Sequence, residues 1–365
     1  MTDKSQRYLL LDGMRGIAAI VVMIMHFAWQ VGLQEVIFPH AYLAVDFFFM
    51  LSGFVVAQAY EGRLASGSMG FLTFCKLRLI RLYPMILLGT LIGVAAALSL
   101  IGAGWLAAPP QWTLVAGLAN LAVIPWVPSA ADGSMKFGFP LNNPIWSLFW
   151  ELLANAAAAV WIIRTRPGDR QMLILTMLCA AILIGFALTH NGVARGDREW
   201  AGGLVRVAYA FNCGMLLHRM RDRLTMISFP MTFQLIALVA ILACPMIPHV
   251  NALYDIGIVL VVFPLIIAAA WKAHPVGRML PLCVALGEVS YPLYALHYPF
   301  VEFLKAGYQS HHWPLAITLS ILLAIGLVAT VASYVVAIWV DAPVRRWLHD
   351  RTARTRPRRP AVEPG

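Results

Sequence analysis

Residues 11–27 read LDGMRGIAAIVVMIMHF, and the fold is decided here. Apart from Asp12, Arg15 and His26 the stretch is apolar or glycine, and with its flanks (9–30) it has the roughly 20 residues a helix needs to cross a bilayer. In lipid only helices and closed barrels satisfy every backbone group, so an apolar run of this length predicts a membrane helix. An ionisable side chain there costs roughly 2.5–3.5 kcal/mol on insertion scales. Each one therefore calls for a reason, functional or as half of an interhelical pair. Arg15 and His26 are eleven residues apart. At about 100° per residue they return to nearly the same face, roughly 16 Å apart along the axis. Asp12, one turn before Arg15, can neutralise it. Ala19 and Val22 on the stripe between them leave room for an elongated ligand. Imidazole suits proton transfer because its ordinary pKa of about 6.5 lies near neutrality.

Outward from this stretch the pattern repeats. Of 365 residues, 61% are hydrophobic and 12% charged, against about 25% charged in a soluble domain. Ten apolar runs are expected to span the membrane: 9–30, 41–60, 82–104, 144–163, 171–189, 200–217, 230–248, 252–271, 281–305 and 315–340. The fold class is all-α, a polytopic bundle of about ten transmembrane helices. The run 111–127, broken by Pro125 and Pro128, is placed in a loop or a re-entrant piece. The first run contains charges and lacks a small-residue cleavage site, so it is read as a retained span. One membrane domain is expected over 1–345 and a basic, disordered tail over 346–365.

The net charge of +10 does not point to nucleic acid, because the basic residues sit beside apolar runs, where topology and anionic lipid explain them. With both termini cytoplasmic, most of the 27 lysines and arginines fall on the inner side, and the outer side holds only Lys136, Arg195, Arg198 and Lys305. That places the protein as a multi-pass protein of the inner or plasma membrane. Five scattered cysteines form no disulfide or zinc pattern, and no metal is expected.

Further polar residues recur inside the spans. In KLRLIRLYP (76–84), Arg78 and Arg81 stand on adjacent turns at the inner boundary and could grip phosphates, or simply anchor the helix at the headgroups. In NNPIWSLFWELLAN (142–155), Ser147, Glu151 and Asn155 make one polar stripe. Glu151, two turns inside, could orient a partner or bind an acceptor hydroxyl, with a structural pair to Arg206 as the alternative. In YLAVDFFFMLSGFVVA (42–57), Asp46 is a candidate partner for a histidine, while Ser52-Gly53 suits close helix packing. In GEVSYPLYALHYPFVEFL (287–304), Tyr294 and His297 are one turn apart between Pro292 and Pro299, which should kink the helix. Asp341, in DAPVRRW, is expected to cap or pair at the inner surface.

In this order the segments resemble the acyltransferase-3 family of integral-membrane acyltransferases, over nearly the whole chain. The resemblance implies ten membrane helices and transfer of acyl groups, often acetyl, to sugars. It puts the family's catalytic arginine and histidine on Arg15 and His26. Its paired arginines fall on Arg78 and Arg81, near the nucleotide end of acyl-CoA, and its tryptophan-serine and glutamate motif on Trp146, Ser147 and Glu151. Two departures touch the acceptor side: Asp341 stands where the family often has glutamate, and LLANAAAAV (152–160) replaces an aromatic pair.

The expected reaction runs from cytoplasmic acyl-CoA, acetyl-CoA above all, to a hydroxyl of a carbohydrate or glycoconjugate. Acyl-CoA is a co-substrate, and no cofactor is permanently bound. Arg78, Arg81 and Arg15 hold the donor; His26 is the base, oriented by Asp46 or Glu151; Trp146, Ser147, Tyr294 and His297 meet the substrate. Membrane lipid is the other partner, and homo-oligomerisation stays open. A transporter or flippase for a glycan or lipid-linked sugar explains the buried charges equally well, though not the paired arginines.

Overall fold

The computed structural model of the protein describes residues 8–106, 108–126, 138–193 and 200–354. Lys4, Arg7, Lys136, Arg195, Arg198 and the arginines after 354, all used in the charge count, lie outside the described residues, as does the tail beyond Arg354. Among the described residues there are twelve helices: α1 Leu9–Gln30, α2 Ala41–Ala65, α3 Phe71–Gly102, α4 Pro110–Leu121, α5 Ile145–Thr165, α6 Asp169–His190, α7 Trp200–Met220, α8 Met231–Ala243, α9 Asn251–Ala270, α10 Met279–Leu296, α11 Tyr298–His311 and α12. The last runs from Leu315–Val336 through a π-helical turn at Ala337–Asp341 into Ala342–Arg354. Eight of these are long and apolar enough to cross a membrane. Large apolar side chains face outward, among them Met177 and Ile182 on α6 and Leu323 and Leu327 on α12. In water such a belt would be a large exposed apolar surface; lipid is its natural solvent. The chain is a multi-pass, all-α membrane protein.

The structure refines the expected spans. Helix α3 starts at Phe71, eleven residues before the expected boundary, so KLRLIR forms helix rather than a connection. The run 230–248 yields only the 13 residues of α8, because Pro245 and Pro248 end it; at 1.5 Å per residue that is about 20 Å, short of a roughly 30 Å hydrocarbon core. The segment placed in a loop at 111–127 contains α4, whose Gly117 lies against Val94 of α3. The tail expected from residue 346 is helical as far as Arg354.

The expected span 281–305 is two helices, α10 and α11, meeting at His297. Pro299 has no N–H, so it cannot bond the carbonyl four residues back, that of Ala295. Asn142 takes over: its Nδ2 donates to the Ala295 carbonyl at 2.7 Å. The break is therefore satisfied from a neighbouring segment and held in place.

Two close helix contacts position the polar residues. Helix α1 packs along α10, and Gly16 lies so near the Leu286 backbone that a Cβ would collide with it. Helix α2 packs along α7 in the same way, with Gly53 on the Phe211 carbonyl. Small residues let backbones approach where lipid offers no hydrophobic drive between helices.

Candidate active site

A cavity lies between α1, α2, α3, α5 and α10, with Arg15, Arg78 and Arg81 contributed from the part of α1 and α3 nearer the end of the bundle where those helices begin. That end also carries Arg63, Lys76, Arg164, Arg219 and Lys272, and is the basic end. Arg78, on the buried face of α3, reaches across to α5, where its Nη2 donates to Glu151 Oε1 at 2.8 Å. Ser52 Oγ donates to the same oxygen at 2.6 Å. Arg81, one turn further along α3 and half-buried, also lines the cavity. No hydrogen bond or ion pair joins it to any described residue. On the opposite wall Arg15 pairs with Asp12 at 3.0 Å and donates to Ser290 Oγ at 2.9 Å and the Gly287 carbonyl at 3.3 Å. Three guanidiniums thus stand around the cavity, and of the three Arg81 is the one without a hydrogen-bonded carboxylate, although Asp341 lies near enough to feel its charge. Such a pocket favours an anion.

The far end of the cavity closes on Phe48 and Tyr294, whose rings meet edge to face at 5.4 Å. Tyr294 is buried, with its hydroxyl 2.7 Å from Ser147 Oγ. Tyr291, between the two ends, donates its hydroxyl to the Leu82 carbonyl and ties α10 to α3. Beyond Tyr294, with ring centroids 6.2 Å apart, lies His297, fully buried. Its Nε2 is 3.0 Å from His26 Nδ1, and its own Nδ1 is 2.9 Å from the Leu293 carbonyl. His26 lies near the end of α1 away from the basic end, beside Trp29 and Tyr298.

Several expected site residues are placed differently. Asp46 does not orient His26: it is fully buried against Arg206, with Nη2 to Oδ2 at 2.7 Å, and Arg206 also donates to the Tyr42 carbonyl at 2.7 Å. Glu151 pairs with Arg78, so it neither orients His26 nor meets Arg206. Trp146 lies 5.6 Å over the Arg206 guanidinium and edge-on to Phe49, a packing position behind the cavity wall. His297 has both ring nitrogens within hydrogen-bond distance of protein atoms, His26 Nδ1 and the Leu293 carbonyl. Asp341, by contrast, pairs as expected, with Arg345 at 2.6 Å.

Arg15 and His26 both face α10, Arg15 on Ser290 and His26 on His297. The stripe between them is filled, however: Ala19 and Val22 are each 1% exposed and packed. The room expected there lies instead in the cavity below Tyr294. The partner of His26 was missed because it is 271 residues away in sequence. A signal existed: His26 and His297 sit at nearly the same depth in two spans of the same direction, the second of them just before a proline that stops its helix.

The description "Acyltransferase domain" belongs to the family whose model matches residues 8–339. Among curated proteins, "Protein 2 in picA locus" of Rhizobium radiobacter is 33% identical over 190 residues, covering 49% of this chain and 94% of that protein. No solved structure matches the chain.

Proposed function

The chain belongs to the acyltransferase-3 family of membrane acyltransferases, and from that premise we propose that it takes an acyl group, acetyl above all, from a cytoplasmic coenzyme A thioester and transfers it to a hydroxyl of a carbohydrate or glycoconjugate on the other side of the membrane. The observation that carries this reading is Arg81, a guanidinium with no hydrogen-bonded carboxylate that lines the cavity together with Arg15 and Arg78. The charge asymmetry supports a cytoplasmic location for the basic end. A phosphate-bearing donor entering there meets Arg81 first. Arg78, held by Glu151, adds positive potential without offering its whole fork.

From Arg81 the donor's extended arm passes Arg15 and reaches Tyr294. With Phe48, the Tyr294 ring forms the partition between the cavity and the histidines, and the thioester meets His26 when this partition turns aside. The acceptor arrives from the opposite side, near Trp29, which is 36% exposed. An exposed indole face beside the reacting imidazole suits the apolar face of a sugar ring. The acceptor oxygen bonds the acyl carbon, and the carbon–sulfur bond breaks. The hydroxyl proton passes to His26 and on to the departing thiolate. General-base help of this kind is worth about 10²–10⁴ in rate.

The test is purified protein in lipid vesicles given labelled acetyl-CoA and extracted envelope glycans. Label should enter the glycan, and His26→Ala should nearly abolish transfer while leaving the protein inserted. Glycan movement without label would favour a transporter, and full activity in His26→Ala would remove the histidine from the scheme.

A further inference from the structure

The two imidazoles at the junction of α1, α10 and α11 form a directed hydrogen-bond chain. A carbonyl oxygen can only accept, so the 2.9 Å contact between His297 Nδ1 and the Leu293 carbonyl fixes a proton on that nitrogen. In a neutral ring the other nitrogen, Nε2, is then a bare acceptor. It lies 3.0 Å from His26 Nδ1, which must be the donor. His26 Nδ1 therefore carries its proton, and His26 Nε2 is left with a lone pair. Among the described residues no hydrogen bond or ion pair joins either ring to a carboxylate; the two carboxylates nearest in role, Asp46 and Glu151, are committed to Arg206 and Arg78.

We propose that His297 is a positioning residue for the acyl transfer: anchored by the Leu293 carbonyl, it accepts the Nδ1–H of His26, fixes that tautomer and ring orientation, and leaves His26 Nε2 as the base. This rests on the acyl-transfer reading above. When Nε2 takes the acceptor proton, the charge on His26 is stabilised through Nδ1–H by a neutral imidazole. A carboxylate would hold that charge more strongly and make the proton harder to return to the thiolate. The fold supplies the anchor. Helix α10 stops at Leu296 because Pro299 cannot continue it, and Asn142 pins the freed Ala295 carbonyl at 2.7 Å. The His297 ring is thereby held at one height opposite His26.

The experiment compares His297→Leu with His297→Gln in the full chain in lipid bilayers, with ¹⁵N-labelled histidine. Glutamine can place its carbonyl oxygen where Nε2 stands and accept the same hydrogen bond. In the unaltered protein the His26 signal, assigned by its loss in His26→Gln, should report a protonated Nδ1 and a bare Nε2. In His297→Leu that preference should be lost, kcat should fall by about 10²-fold or more, and the KM for acetyl-CoA should stay within about twofold. His297→Gln should restore the tautomer and bring kcat back to within about tenfold of the starting value. A Nδ1–H tautomer that persists in His297→Leu, or glutamine failing to recover more rate than leucine, would overturn the assignment. The two readings fail separately: absence of any acyl transfer by the unaltered protein sinks the proposed reaction, while the tautomer measurement still decides the role of His297.

Discussion

Arg78 and Glu151 meet at 2.8 Å between α3 and α5, and the pair sits in the wall of the cavity with side-chain exposures of 5% and 15%. An arginine committed in this way serves the wall before it serves a ligand. Three residues on, Arg81 faces the same space with no such commitment. The two arginines of KLRLIRLYP, alike in sequence, therefore have different work.

Arg81→Ala should raise the KM for acyl-CoA with little change in kcat and no loss of folded protein. A hydrogen bond to a charged group is worth about 1.5–3 kcal/mol, so the increase should be about 10- to 100-fold. Arg78→Ala should instead lower the yield and thermal stability of the purified protein, since it leaves a largely buried carboxylate without its partner. Arg78→Met combined with Glu151→Gln should recover part of that stability. Equal KM effects from Arg78→Ala and Arg81→Ala, at equal stability, would count against the division.

The pair of Asp46 and Arg206, with exposures of 0% and 1%, joins α2 to α7. Breaking a buried pair from one side costs about 3–5 kcal/mol, because a charge is left without its partner. Asp46→Asn and Arg206→Met should each lower the unfolding temperature in detergent. The surviving folded fraction should keep a kcat close to that of the unaltered protein, since neither residue touches the histidines. A large specific loss of kcat at unchanged stability would return Asp46 to the reacting centre.

Outside the spans, His40 tests the same logic with protons. Its Nδ1 donates to the Cys244 carbonyl at 2.7 Å, and the Asn251 side chain also lies by the buried ring. Burial pushes its pKa below the ordinary histidine value, and the Cys244 carbonyl and the Asn251 side chain oppose this only in part. The folded form therefore resists the second proton more than the unfolded chain does. The contribution is intact above the unfolded pKa of about 6.5 and is lost as the pH falls below it. Stability measured between pH 7.5 and 5 should fall on the acid side, and His40→Gln should flatten that part of the curve. An unchanged slope in His40→Gln would assign the acid sensitivity to other groups.

The sequence revealed much of the bundle and less of the site, for a physical reason. Helical periodicity is local, so it puts Arg15 and His26 on one stripe, and the structure turns that stripe to α10. Apolar length finds the long helices, but it overran α8, where Pro245 and Pro248 cut the helix short, and it began α3 too late because LysLeuArg reads as a connection. Pairing is not local. Arg206 could have met Asp46 or Glu151 on charge alone, and only the Gly53 contact on Phe211, which draws α2 against α7, brings it to Asp46. The same holds for His297, whose chemistry depends on a helix 271 residues away.

The break between α10 and α11 provides the last prediction. Proline299 removes the N–H that would have bonded the Ala295 carbonyl, and Asn142 Nδ2 replaces it at 2.7 Å. Asn142→Leu should strand a buried acceptor and destabilise the protein by about 1–3 kcal/mol. Pro299→Ala restores a backbone donor four residues after Ala295 and lets the helix run on. The double variant should therefore be more stable than Asn142→Leu alone, by thermal unfolding in detergent. Its activity should move the other way: a continuous helix turns His297 away from His26, and transfer should drop even as stability recovers. If stability and activity return together, the break is only a packing feature and does not set the height of the histidine pair.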